Sequence, residues 1–315
     1  MENDRSYFSR RADEERAAAR RAADRRARDA HRQMAKSYEE RAMAAPIPLA
    51  PPVTSALRPS SLIARQLIAE QRPCVAPRAA AVPVGFAAVS DQVPIIGGTG
   101  ALGYGLALRW ARAGHPIVIG SRKPERAAGA AQKIAGEVSG AQVEGLENGE
   151  AAQRGPIVFL TVPFRAQSET LNNLRESLAE GQLLVDCTVP MAAAVSGKAT
   201  RTLGVWQGSA AQQAQEMVPE GVTVISTFHT VSASALAGND PLDQDILVCG
   251  ERKADKARVA KLIEDIEGLR AVNAGALETA RFVETLTPLL ISVNARYKAH
   301  AGIRITGLPD GNHWS

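Results

Sequence analysis

From Val93 onward the sequence predicts a parallel α/β sheet, on three observations. Short apolar runs alternate with helix-forming stretches. A glycine-rich turn joins the first run directly to the first helix. With 315 residues, 45% of them hydrophobic, the chain can bury a sizeable core. The elements follow in order. PIIGG (94–98) is a strand, with Pro94 tolerable only at its first residue because proline removes a ladder hydrogen bond. Ala101–Ala113 is a helix stopped by Gly114 at a typical C′ position. PIVIG (116–120) is the second strand and Pro124–Val138 the second helix. Later strands are IVFLTV (157–162), LLVDCT (183–188), VTVIST (222–227) and DILVCG (245–250), with helices over 165–178, 208–218 and 253–266. The tail Leu277–Lys298 is helical, with Leu286, Leu289, Leu290 and Val293 at helical spacing. Pro288 breaks or restarts it with Thr287 as N-cap, and Arg281 and Glu284 lie three apart, placed to pair.

The segments before Val93 differ in kind. Residues 1–45 hold 12 Lys/Arg and 9 Asp/Glu in an Ala- and Arg-rich stretch, read as a charged helical leader exposed to solvent, without a sustained apolar stripe beyond Tyr7 and Phe8. Its acidic residues argue against a mitochondrial transit peptide. Residues 46–92 hold 8 of the 18 prolines and read as a linker with one short helix at Ser60–Gln71. The chain's +4 net charge belongs to these segments, since residues 93–315 hold 21 Lys/Arg and 22 Asp/Glu. A nucleic-acid-binding body is therefore not expected despite the basic balance. The remaining boundaries expected are 93–235 for a nucleotide domain and 236–315 for a small C-terminal one.

Cys74, Cys187 and Cys249 are odd in number, far apart and without a Cys-x-x-Cys pair, which excludes a disulfide framework and a zinc site. Cys187 and Cys249 read as small core residues, and a cytoplasmic location is the default. No window is apolar and long enough for a membrane span.

The strongest motif is Gly98-Thr99-Gly100-Ala101-Leu102-Gly103, a G-x-G-x-x-G between a strand and a helix, with a second strand ending about 20 residues later. Gly98 is expected to make the tight turn, Gly100 to admit a pyrophosphate, and Gly103 to let helix and strand pack closely. A Rossmann-type doubly wound sheet follows, with phosphates on the helix N-terminus. At the end of the second strand an NAD site would carry Asp or Glu. Here stand Gly120-Ser121-Arg122-Lys123 with Arg126 a turn later, a set suited to the 2′-phosphate of NADP(H).

With these residues placed, Val93 to about Leu308 resembles the F-420H2:NADP oxidoreductases, which pass hydride between NADP(H) and the deazaflavin coenzyme F-420. The matching stretches are IIGGTGALGYGLALRWARAGHPIVIGSRKPERA, VFLTVPF, FHTVSASAL and DILVCG, IEGLRAVNAGAL and RFVETLTPLLISVN in the tail. The resemblance implies Thr99, Gly100, Ala101 and Leu102 at the pyrophosphate. Ser121 and Arg122 take the 2′-phosphate, with Arg126 where the family often has lysine. Val162 and Val189 lie beneath the nucleotide and Ala233 near the nicotinamide. The family can carry Trp and then His in the Val162 loop, where this chain has Phe164 and Ala166; Arg165 is the available replacement. No side chain need act as nucleophile, because both reacting centres belong to the cofactors. His229, following a strand in the expected cleft, is a positioning candidate. Alternatives are an NADPH-dependent reductase of a flavin or a small keto or imine substrate, and a non-catalytic NADPH-sensing module. Small-molecule cofactors, no nucleic acid and no membrane are the expected partners. The apolar tail stripe is core packing or the interface of a homodimer or higher homo-oligomer.

Overall fold

The computed structural model describes residues 92–195, 197–309 and 314, with scattered positions between 9 and 39. The chain divides into two compact units, Met1–Ala79 and Ala80–Ser315. In the first, the described positions are helical. Arg16 pairs with Asp13 at 2.7 Å and also with Glu39. At 1.5 Å of rise per residue, a straight helix would hold Arg16 and Glu39 about 35 Å apart. They therefore sit on two helical stretches lying side by side. Ala12, Ala19 and Ala35 are buried, so the expectation of one solvated helix is corrected. Tyr7, Phe8, Cys74 and the helix expected at 60–71 lie outside the described residues.

The second unit is built on six parallel strands. In chain order they are β1 (Val93–Ile96), β2 (Ile117–Ser121), β3 (Val143–Glu147), β4 (Ile157–Leu160), β5 (Leu183–Asp186) and β6 (Thr223–Ser226). Their spatial order is β3-β2-β1-β4-β5-β6, the doubly wound Rossmann arrangement. The chain leaves β1 towards one edge and returns at β4 towards the other, so a crevice opens at the carboxyl ends of these two strands. Five helices accompany this sheet: α1 (Ala101–Arg112), α2 (Pro124–Glu137), α3 (Asn148–Ala152), α4 (Phe164–Leu174) and α5 (Ala210–Met217). On one face Trp110 packs against Phe159 and Phe228, with ring centroids 4.5 and 5.9 Å away. On the other, Leu160, Leu171 and Leu184 are fully buried.

The short α6 (Ala233–Ala237) docks on α1. A Cβ on Gly105 would lie 2.7 Å from that of Leu236, and Arg109 donates to the carbonyls of Leu236, Ala235 and Asp240 at 2.8–2.9 Å. Beyond it, β7 (Gln244–Val248), α7 (Lys253–Glu264) and β8 (Leu269–Asn273) form a βαβ unit with its own two-stranded parallel sheet. A reciprocal pair of 2.9 Å hydrogen bonds between Ser226 and Cys249 ties it to the main sheet. The last helices are α8 (Ala280–Glu284) and α9 (Leu286–Tyr297).

Several expectations need correction. Pro94 is the second residue of β1, yet it breaks no ladder bond. The Val93 amide bonds Pro116 on the β2 side, and pairing with β4 begins only at Ile95. The tail helix restarts after Thr285, which places Pro288 in the first turn, where its missing N–H is harmless. Thr287 is not the N-cap; its hydroxyl donates to the His229 carbonyl at 2.7 Å. Arg281 does not pair with Glu284 but donates to the Glu278 carbonyl. Glu284 is buried and accepts from the Ala210 and Ala211 amides at 3.0 and 3.2 Å, occupying the N-terminus of α5.

Candidate functional site

The turn after β1 is made one residue earlier than the motif suggests. Gly97, not Gly98, carries the left-handed backbone, at φ +76°, and a Cβ there would strike Val162 Cγ1 at 2.7 Å. Gly98 is needed for close approach, since its Cβ would lie 2.8 Å from the Ile95 carbonyl. Gly103 behaves as expected: a Cβ would meet Thr161 Oγ1 at 2.4 Å and the Gly98 Cα at 2.8 Å, so α1 rests directly on the turn. Gly100 is the N-cap of α1 and has no side-chain cap. Its absent Cβ would meet only main-chain oxygens, at 3.3 Å or more, so the backbone stays accessible on this side. The first amides of α1 thus have no side-chain acceptor, an arrangement that favours an anion.

These residues open into a cavity of about 440 Å³ at the carboxyl ends of β1, β2 and β4. Of the sequence-predicted set, Thr99, Gly100, Ser121, Arg122, Arg126 and Val162 line it, as does Lys123. Gly98, Ala101, Leu102 and Gly103 form the turn and helix behind that wall and are not among the lining residues. The Ser121 hydroxyl accepts from the Lys123 amide at 3.2 Å, which bends the chain out of β2 and turns the cations towards the cavity. Arg122, Lys123 and Arg126 are exposed and pair with no carboxylate among the described residues. Arg126 stands in the first turn of α2, where a cation opposes the helix dipole unless an anion is present. Lys123, at the N-cap of α2, provides no side-chain cap either, so two uncapped helix starts flank one basic pocket.

Val189, half-buried after β5, and Ala233, at the start of α6, do not line the cavity. Arg165 is exposed and stands outside its wall, which Ala166 joins instead. Asn148 was not anticipated. It opens α3 at the end of β3, is 6% exposed and lines the cavity beside Ser121. The stretch 143–152 carries no strong periodicity, so the sequence offered no signal for it.

His229 is buried, and neither ring nitrogen has a hydrogen bond of good geometry. Burial pushes its pKa down to about 4, the Thr188 backbone opposing this only in part, so the ring is neutral near pH 7. It follows Phe228, whose backbone is left-handed at φ +64°. Close to the end of β5, Asp186 accepts from Gln167 Nε2 at 3.1 Å and from the Thr188 hydroxyl at 3.0 Å. Burial raises Asp186 to about 7, against those hydrogen bonds. Burial also raises Glu284 to about 8; the Ala210 amide opposes that shift and the charge of Asp186 adds to it. Among the described residues no cluster of His, Cys, Asp and Glu is arranged to hold a metal, and no helix is long and apolar enough to cross a membrane.

The family model described as NADP oxidoreductase coenzyme F-420-dependent matches residues 92–190, the segment holding the turn, the cations and the Val162 loop. The F-420-dependent NADP reductase of Methanothermobacter thermautotrophicus is 43% identical over 225 residues, covering 70% of this chain and 96% of that protein. Its counterpart in Methanocaldococcus jannaschii is 42% identical over 223 residues, covering 69% and 99%. Among solved structures, an Arthrobacter sp. FB24 protein provisionally assigned as an F-420-dependent NADP-reductase superposes with a TM-score of 0.57 at 24% identity, over 67% of this chain and 96% of that one; this likeness bears on the fold alone. Identity above two-fifths along nearly the whole length of those curated relatives shows that the chain belongs to the F-420-dependent NADP reductase family.

Proposed function

We propose that this chain passes hydride between NADP(H) and the deazaflavin coenzyme F-420. The observation that carries the reading is the basic cavity: an uncapped helix start, a glycine turn without side chains and three unpaired cations converge on one space. These features fit a dinucleotide phosphate. Thr99 and Gly100, with the Ala101 and Leu102 amides behind them, take the pyrophosphate on the α1 N-terminus. Ser121, Arg122 and Arg126 take the 2′-phosphate, and Val162 lies under the nucleotide towards the nicotinamide. Val189 lies beneath the nucleotide with Val162, and Ala233 lies close to the nicotinamide.

The two nucleotides supply the chemistry, a direct hydride transfer between their rings. The protein's own task is to hold those rings face to face and exclude water. His229 serves that task as a neutral ring fixed by its backbone. It is not a proton donor. The small tail unit, residues 236–315, completes the assembly with an apolar surface. Phe282, Leu289 and Tyr297 expose much of their side chains, which suits an interface between copies of the chain. Cys187 and Cys249 are free and buried, in keeping with a reducing cytoplasm.

The decisive experiment mixes purified protein with NADPH and oxidised F-420, FMN or FAD and follows NADPH absorbance. Oxidation only with the deazaflavin is expected. Equal or faster turnover with a flavin would move the function to a general flavin reductase, and no oxidation with any acceptor would favour a sensor.

A further inference from the structure

Among the described residues that line the nucleotide cavity, one buried polar side chain has an atom left without a partner. Asn148 is almost wholly buried, and its Oδ1 has no hydrogen-bond partner. The amide takes no part in capping α3 either, because the Glu147 carboxylate accepts the Gly149 amide at 2.6 Å. Leaving a buried amide unpaired costs about 1–3 kcal/mol, so an apolar residue here would serve stability better. The surroundings make room for it: a Cβ on Gly120, the residue before Ser121, would come within 3.1 Å of Asn148 Oδ1. The Asn148 oxygen is left unpaired on a residue in the wall of a ligand cavity, where a ligand can supply the partner.

The chemistry of the amide selects which part of the ligand. The phosphates are anions, and the cavity already meets them with cations and helix starts. Asn148 is neutral and offers one donor and one acceptor side by side, and a half-turn of the amide exchanges the two. The matching partner is a planar edge carrying an amino group next to a ring nitrogen. That is the edge of adenine which asparagine reads bidentately in nucleic acids. We propose that Asn148 reads the purine base of the dinucleotide, accepting from its 6-amino group and donating to N7, an edge on which the 6-oxo analogue offers two acceptors that no orientation of the amide can match. The inference rests on the proposed NADP(H) reading, and deepens it by assigning a base-selecting residue at the β3 end of the cavity.

The test compares the dissociation constants of NADPH and of its hypoxanthine analogue, in which a 6-oxo group replaces the amino group. Wild-type protein is expected to bind NADPH at least about tenfold more tightly. Asn148→Ala should weaken NADPH about tenfold and leave the analogue within twofold, so that the preference disappears. Asn148→Ser provides the same comparison if the alanine variant does not fold, and the preference of wild type itself needs no variant. Equal affinity of wild type for both nucleotides overturns the inference. So does an equal loss for both nucleotides in the variants, which would assign Asn148 to a ribose hydroxyl. Failure of folded wild type to bind either nucleotide is a different result, and it removes the NADP(H) reading itself.

Discussion

Replacing Arg122 by alanine should separate the two nicotinamide cofactors. Arg122, Lys123 and Arg126 line one cavity without carboxylate partners among the described residues, so no ion pair there competes for them or compensates for their loss. A unit charge pair about 4 Å apart is worth about 1 kcal/mol in bulk water and about 4 at the effective dielectric of a protein surface. The three cations are exposed, which puts the interaction in the lower half of that range. A charge-assisted hydrogen bond contributes about 1.5–3 kcal/mol by mutational measure, which agrees. Arg122→Ala should therefore raise the NADPH dissociation constant by about ten- to a hundredfold and change that of NADH less than about twofold. Titration calorimetry at low and at physiological salt measures it, and the NADPH effect should shrink as salt rises because the site is solvent-screened. Equal affinity of wild type for NADPH and NADH would refute the reasoning, as would an equal loss for both nucleotides in the variant.

Three further outcomes follow from the packing. Gly103→Ala puts a methyl 2.4 Å from Thr161 Oγ1 against an immovable turn, and should cost about 1–3 kcal/mol with weaker NADPH binding, read by denaturant titration and calorimetry; a stability equal to wild type would show that α1 can shift. Glu284 and Asp186 are held protonated to about 8 and about 7, above the ordinary carboxylate range, so the folded state carries protons that the unfolded chain has released. Their contribution is full below about pH 4 and lost as pH rises through 7 to 8. His229, depressed to about 4, works the other way and lowers stability as pH falls from 6.5 towards 4. Glu284→Gln should flatten the alkaline limb and raise Tm near pH 8.5 by about 2–4 °C; pH profiles of Tm parallel to those of wild type would discount the buried carboxyl. His229→Ala should lower kcat by no more than about tenfold, without abolishing an inflection between pH 6 and 7, because the buried ring does not titrate there. A thousandfold loss with both cofactors still bound would make the imidazole a reacting group.

What the sequence made legible is what is local in the chain. The strand runs IVFL, LLVD and TVIS, the helix starts and the cations after β2 each declare themselves within a few residues. The edge strand VEGLE did not, since its side chains are half-buried at best and Gly145 is there for a tertiary reason: a Cβ would lie 2.2 Å from the Ala127 backbone of α2. The motif fits only from Gly98, yet the backbone shows that the left-handed turn belongs to Gly97, one residue before it. Asn148 at the cavity and Glu284 on the α5 N-terminus were out of reach for another reason. Each acts on groups brought near by the fold; Glu284 bonds amides 74 and 73 residues away.

The buried polar groups divide by where their partners are, and the division bears on mechanism. Asp186, Glu284 and Asp245 are satisfied inside the chain, by Gln167 and Thr188, by two α5 amides, and by Arg270 with the Ile305 amide. Asp186 ties β5 to α4, Glu284 ties α8 to α5, and Asp245 ties β7 to β8 and to the tail at Ile305. The Asn148 and Gln244 amide oxygens, the Ser226 hydroxyl and both His229 ring nitrogens are not satisfied inside it. Asn148 faces a ligand cavity, whereas His229 is held from its backbone: Phe228 on one side is locked in an aromatic trio, and Thr287 bonds the His229 carbonyl. A left-handed residue costs about 1–2 kcal/mol, and Phe228 persists in that conformation because Trp110 and Phe159 fix its ring. The backbone that carries the imidazole is therefore fixed on both sides of the ring. A residue held in this way is suited to shaping a wall against which two rings stack. Acid–base work would require a pKa near the working pH, and burial holds His229 at about 4.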